Sequence, residues 1–203
     1  MKKEFKEYDE ETLQKIQQTE MEILKDFIEV CEKHNLTYFG IAGTGIGALR
    51  HQGFIPWDDD IDVAMPRDDF ERLVRFIEKE KGDKYLIMDT KHYPNYPLMT
   101  TRITMRGTKF KEEALKSIDA PMGIFLDLYP LDKMSDDPKE AKKQARDAWF
   151  WSKILILRSI PFPMLGFTGW KKKVIHAICG LAHLGLKILH VPRLWIYKKA
   201  YEA

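Results

Sequence analysis

Cysteine is scarce in this chain: Cys31 and Cys179 are the two among 203 residues. Two thiols so far apart do not make the framework of a disulfide-stapled domain, and a reduced, cytoplasmic setting is the expectation. A long hydrophobic run is lacking too. The two most apolar stretches, 154–160 and 174–191, are interrupted by Arg158 and Lys187, and Pro161 and Pro163 follow the first. Neither offers the roughly twenty unbroken apolar residues of a spanning helix. The opening MKKEFKEYDEETL has Lys2 and Lys3 with no apolar stretch behind them, so no secretory signal is expected there. Net charge is nearly absent, 33 basic residues against 31 acidic for +2, which argues against a nucleic-acid partner. Repeats and low-complexity tracts are missing. What remains, 44% hydrophobic and 32% charged, suits one large globular domain or one domain with an appendage.

The small net charge hides an uneven distribution. Residues 151–203 hold nine Lys and Arg against the single acid Glu202, a balance of +8, which leaves −6 for residues 1–150. An acidic body joined to a basic tail speaks of two kinds of partner. The expected organisation follows that division: a catalytic domain over 1–150 and a basic, apolar helical appendage over 151–203.

Hydrophobic periodicity predicts a helix from Asp9 to His34, capped by Asp9 and ended by Asn35, with Leu13, Ile16, Leu24, Phe27, Ile28 and Cys31 inward. Thr37–Ala42 reads as a short strand running into a turn, Gly43-Thr44-Gly45-Ile46-Gly47, that opens a helix ending near His51. Asp60–Met65 is a strand closed by Pro66, and a helix follows over Arg67–Lys81. Tyr85–Met88, Leu98–Met105 and Ile124–Tyr129 are further strands, and Pro138 suits the first turn of another helix. Helices mixed with strands in this order give an α/β or α+β fold.

The most informative stretch is GFIPWDDDIDVAM, residues 53–65. Four carboxylates in five positions repel one another unless cations or donors neutralise them. Strand alternation turns Ile61 and Val63 to the core and puts Asp60 and Asp62 together on the other face. Two carboxylates so placed can share a hard divalent cation, magnesium (Mg²⁺) or manganese (Mn²⁺), with substrate phosphates completing the shell. The plain alternative is a solvated acidic loop whose aspartates cap backbone N–H groups. Upstream, the Gly43–Thr44 turn offers N–H groups and a hydroxyl to an anion. A third carboxylate, Asp127, lies in the apolar strand GIFLDLYPLD, where an unpaired charge is costly. A phosphate turn followed by an Asp-x-Asp strand is the layout of a nucleotidyltransferase site.

The run AGTGIGALRHQGFIPWDDDIDVAMPRDDFERL, with GIFLDLYPLD further on, closely resembles the LicD family of phosphocholine transferases, relatives of the fukutin-type phosphoalditol transferases. The resemblance covers roughly Thr37–Asp132. It implies an α+β, nucleotidyltransferase-like mixed sheet flanked by helices. It also implies transfer of a phosphorylated small alcohol, typically phosphocholine from CDP-choline, onto a sugar of a cell-surface glycan or glycolipid. By that resemblance Asp60 and Asp62 match the metal-binding pair, Asp127 the later carboxylate, and Gly43 and Thr44 the phosphate-side turn. Where the family more often has two glycines before the threonine, this chain has Ala42-Gly43.

The chemistry expected is in-line displacement at phosphorus, with Asp60, Asp62 and Asp127 holding the cation and Asp127 receiving the proton of the attacking hydroxyl. Arg50, Arg102 and Lys109 are the candidate phosphate binders, against the alternative of surface salt bridges. Trp57 can face a quaternary ammonium through cation–π attraction or wedge the acidic loop. In the tail, the apolar face through Ile175, Ile178, Leu181, Leu186 and Leu189, flanked by lysines and by Trp170 and Trp195, suits a helix lying on an anionic membrane, so peripheral attachment at its inner face is expected. Packing on the domain or on a second subunit is the other reading. Beside phosphocholine transfer stand nucleotidyl transfer to a small molecule and a shortened, non-catalytic scaffold member of the family.

Overall fold

The computed structural model of the chain describes residues 8–164 and 166–203. Lys2 and Lys3, on which the reading of the N-terminus turned, lie outside the described residues. Six helices and a five-stranded mixed sheet make the fold α+β, as expected: α1 (Glu10–His34), β1 (Phe39–Gly40), α2 (Ala42–His51), β2 (Asp62–Pro66), α3 (Arg67–Lys81), β3 (Tyr85–Met88), β4 (Thr101–Met105), β5 (Phe125–Leu131), α4 (Pro138–Ser159), α5 (Gly169–Ile188) and α6 (Arg193–Tyr201). The strands run in the order β1-β2-β5-β4-β3. β1 pairs antiparallel with β2, and β2 pairs parallel with β5. β5 is therefore internal, so Asp127 lies in a central strand and not on a sheet edge.

The chain forms two compact units. The first comprises the described residues through Ile87, with Arg102–Lys109 and Gly123–Asp132. Its core joins Ile23, Phe27 and Val30 of α1, Leu73 and Ile77 of α3, and Ile61, Val63, Leu126 and Leu128 of the sheet region. α1 starts where the Asp9 carboxylate accepts the Thr12 N–H at 2.9 Å, and it stops where Asn35 turns left-handed at φ 51°. At the other end of its face, Asp26 takes Lys81, Lys84 and the Tyr85 hydroxyl. Burial of Asp26 works against its charge, but these donors win and hold the carboxyl at about 2.

The second unit comprises Met88–Thr101, Phe110–Met122 and Lys133–Ala203. Met88, Tyr96, Leu115, Ile118 and Ile160 form one of its clusters, and Leu155, Ile196 and Tyr197 another. α5 buries no residue fully and leaves Trp170, Val174, Ile178, Leu181, Leu184 and Ile188 exposed. Among the described residues no single helix is long and apolar enough to cross a membrane; α5 and α6 reach that length together but are bent by 110° at their junction.

Several boundaries differ from the sequence reading: β4 starts at Thr101 rather than Leu98, and β5 runs over Phe125–Leu131 rather than Ile124–Tyr129. β1 is two residues rather than six, and the glycine cluster lies inside α2 rather than in a turn before it. β2 begins at Asp62, so Asp60 belongs to the loop that feeds the strand.

Candidate active site

The site grows from the pairing of β2 with β5, which sets Asp62 directly opposite Asp127. Both backbone groups of Asp62 are occupied: its N–H donates to the Thr44 hydroxyl at 2.8 Å, and its carbonyl accepts the Ile41 N–H at 3.1 Å. The Asp127 N–H donates to the Ile61 carbonyl at 2.9 Å. The two carboxylates are thus mounted on fixed backbone, as a site that orders a cation or a phosphate requires.

Asp127 is buried, and Arg102 on β4 donates from Nε to its Oδ1 at 2.9 Å. The Arg102 guanidinium also lies 3.6 Å from the centre of the Phe125 ring. Ion pair and ring contact together explain how a charged residue sits in a central strand. Arg102, expected at phosphate, is in this structure the partner that orients Asp127.

Ahead of β2 the loop gathers Asp58, Asp59 and Asp60, whose carboxylate oxygens all lie within 4.8 Å of one another. Burial, and then the charges of Asp62, Asp58, Asp59 and Asp127, push the Asp60 carboxyl up to about 7. Asp62 is raised by burial, against the opposing hydrogen bond of Tyr129 and the charge of Arg102. Asp58 is raised by burial and by Asp59 and Asp62. Raised carboxyl pKa values mark an oxygen-rich cluster in which crowding and burial oppose ionisation, a setting short of positive charge.

Sequence reading missed a sixth acid. Glu20, on the inner face of α1, is 1% exposed, and its Oε2 has no hydrogen-bond partner. Burial raises its carboxyl to about 9, helped by Asp60, Asp59, Asp58 and Asp127 in that order. The signal was present: Glu20 falls four residues after Ile16 and three before Ile23, in phase with the buried stripe. α1 serves the loop a second time through Gln17, whose side-chain amide donates to the Asp58 carbonyl at 2.8 Å.

The phosphate-side residues occupy the start of α2. Gly43 sits close against Asp58: a Cβ there would stand 2.3 Å from the Asp58 carboxylate, which would have to swing aside. Thr44 spends its oxygen as an acceptor for Asp62, which leaves the hydroxyl hydrogen to give. A cavity of about 300 Å³ opens beside them, lined mainly by Met21, Leu24, Ala48, Phe54 and Ile61, with Thr44 and Asp58 among its polar members. Arg50 is exposed in the last turn of α2, six residues and about 9 Å along the axis from Thr44. Lys109 is exposed in the loop after β4. Trp57 is 76% exposed, so it neither wedges the acidic loop nor lines the cavity. Asp132 follows β5 and accepts from Nε and Nη2 of Arg67, a bidentate pair on one side of the guanidinium.

An internal strand carrying one buried acid beside a strand led in by an aspartate cluster defines a nucleotidyltransferase type of domain. Residues 35–162 match the family model described as LicD/FKTN/FKRP, nucleotidyltransferase domain, and the chain belongs to that family. It is 35% identical over 129 residues to the lipopolysaccharide cholinephosphotransferase LicD of Haemophilus influenzae, covering 63% of this chain and 47% of that protein. An uncharacterized protein of Rickettsia prowazekii is 44% identical over 72 residues, 36% of this chain and 27% of its own length. Another, from Rickettsia typhi, is 36% identical over 72 residues, 36% of this chain and 23% of its own length. The chain spans less than half the length of these relatives.

Proposed function

We propose that the protein is a metal-dependent transferase that moves phosphocholine, or a close phosphorylated alcohol, from a CDP-linked donor to a sugar of a lipopolysaccharide or related lipid-linked glycan. The observation that carries this reading is the placement of Asp62 opposite Asp127, with the Thr44 hydroxyl bonded to the backbone of Asp62. The relative in Haemophilus influenzae, a lipopolysaccharide cholinephosphotransferase, points to the same alcohol and acceptor. The cavity agrees: apolar walls suit the methyl groups of choline, and the Asp58 carboxylate suits its positive charge.

The donor set fits Mg²⁺ or Mn²⁺, since it is all carboxylate and leaves the Glu20 oxygen without a partner. Asp60, Asp62 and Asp127 would hold the cation, whose part is to neutralise the diphosphate and the departing nucleotide. The chain's own residues do the rest. Gly43 and Thr44 at the start of α2 hold the phosphate, Thr44 through its hydroxyl hydrogen and through N–H groups at a helix N-terminus. Arg102 fixes the orientation of Asp127, which receives the proton of the attacking sugar hydroxyl. Incubation with Mg²⁺ and a panel of CDP-linked alcohols, read as CMP release, tests the reading. Release from none of them overturns it, and release of pyrophosphate from a nucleoside triphosphate would install nucleotidyl transfer in its place.

Catalysis in this scheme belongs to residues 1–150, and 151–203 bring the chain to an anionic membrane. The support is α5, whose exposed stripe of Trp170, Val174, Ile178, Leu181 and Ile188 is preceded by Phe162 and Phe167 and attended by Lys171 to Lys173 and Lys187. An apolar stripe under a cationic rim is the pattern of a helix lying in the headgroup plane. Vesicles with and without anionic lipid should separate the protein in a flotation assay; equal recovery from both removes the membrane.

A further inference from the structure

Glu20 enters the reading above only as an oxygen without a partner, and its setting is hard to explain by packing alone. It sits on α1, outside the segment that matches the family model. Its neighbours on that face, Ile16, Ile23 and Phe27, are apolar and buried, as helix periodicity requires. A carboxyl in such a stripe is expected to carry a cationic or hydrogen-bonding partner, because a buried polar atom without one loses its hydration for nothing. Glu20 is 1% exposed, and its Oε2 has none. The charges that bear on it most are those of Asp60, Asp59, Asp58 and Asp127, with Asp60 the foremost. A buried, unpartnered oxygen in the field of an aspartate cluster calls for a positive charge beside it.

The cluster makes the same demand on its own account. Asp58, Asp59 and Asp60 bring three oxygens within 4.8 Å of one another, and α1 holds that loop through Gln17 and the Asp58 carbonyl. Glu20 lies three residues after Gln17, on the same side of α1 as the residue that touches the acidic loop.

We propose that Glu20 is a carboxylate of the metal centre, supplying from α1 a ligand that Asp60 and its neighbours on the loop and strands lack. This rests on the metal-dependent reading of the site. It gives α1 a function beyond covering the sheet: the helix becomes one wall of the cation site, and cation binding ties it to the acidic loop.

The test is a Mn²⁺ titration of the full chain by calorimetry, on the parent protein, Glu20→Gln, Glu20→Met and Asp62→Asn, with melting curves in EDTA beside it. The expected result is binding by the parent, at least a tenfold weaker Mn²⁺ affinity in both Glu20 variants, and metal-free melting temperatures within a few degrees of the parent. Parent-like affinity in a folded Glu20 variant, within twofold, makes Glu20 a structural acid and overturns the proposal while leaving the metal reading standing. Failure of both variants to fold does the same. A parent that binds no Mn²⁺ overturns the metal-dependent reading itself, and Glu20 with it.

Discussion

Asp62 and Asp127 face each other across the parallel pairing of β2 and β5; the backbone of Asp62 is held by Thr44 and Ile41, and Asp127 is held by its N–H to Ile61 and by its side chain to Arg102. The pair separates tests of chemistry from tests of stability.

Asp62→Ala takes away one half-buried carboxylate and leaves the Thr44 bond to its backbone in place. On the proposed reading Asp62 would help hold the cation that neutralises the reacting phosphate, and donor turnover should fall by about 100-fold or more. The fold should persist, because like charges are being thinned. Measured CMP release near the parent rate, with an unchanged melting curve, would sink the assignment of Asp62.

Arg102→Met strands the Asp127 carboxylate in a central strand without its partner. Removing one member of such a pair typically costs about 3–5 kcal/mol. Urea denaturation should show that loss, and Asp127→Asn combined with Arg102→Met should recover much of it. A double variant no better than the single one would mean the two are not coupled.

Ala42 has φ 47°, in the left-handed region that a side chain disfavours. Here the chain departs from the family's more usual glycine. Ala42→Gly should stabilise by about 1 kcal/mol through relief of that strain, offset in part by chain entropy. Gly43→Ala should do the opposite, since its Cβ would displace the Asp58 carboxylate, and overpacking of this sort costs about 1–3 kcal/mol. Thermal melts of the two variants should move in opposite directions.

Without divalent ions, stability should decline as pH rises. Glu20 lets go of its proton near 4.5 in the unfolded chain and near 9 in the folded one, so between those values the unfolded chain binds fewer protons. The stabilisation tied to that proton is complete below the lower value and is lost as pH climbs through the upper. Asp60 adds the same trend from 3.8 to about 7. In EDTA, Glu20→Gln should flatten the decline above pH 7, where Asp60 no longer contributes; an equally steep slope in that variant would refute the role given to Glu20.

Much of this was legible from spacing. α3 runs over the predicted Arg67–Lys81, because Pro66 fixes its start and Phe70, Leu73 and Ile77 keep a helical period. The α+β class, the Asp9 cap, and the burial of Ile61 and Val63 were equally open to reading. The glycine cluster was not. Gly43, Gly45 and Gly47 suggested a turn, yet none has a positive φ; they lie where Asp58, the Gly40 carbonyl and the Gly53 carbonyl come close to the place of a Cβ. Such approaches are tertiary and leave no local trace. Arg102 was assigned to phosphate because nothing in sequence says that β4 lies beside β5. Glu20 escaped because a glutamate on a helix is assumed to be wet until the phase of the stripe is checked.

The hydrogen bond from Asp62 to Thr44 makes the site a single mount. One 2.8 Å contact ties the start of α2 to the strand that carries the acids, so neither can shift without the other. Thr44→Val keeps the size of residue 44 but removes the hydroxyl that accepts the Asp62 N–H, and the melting temperature should fall because that N–H is left without its partner.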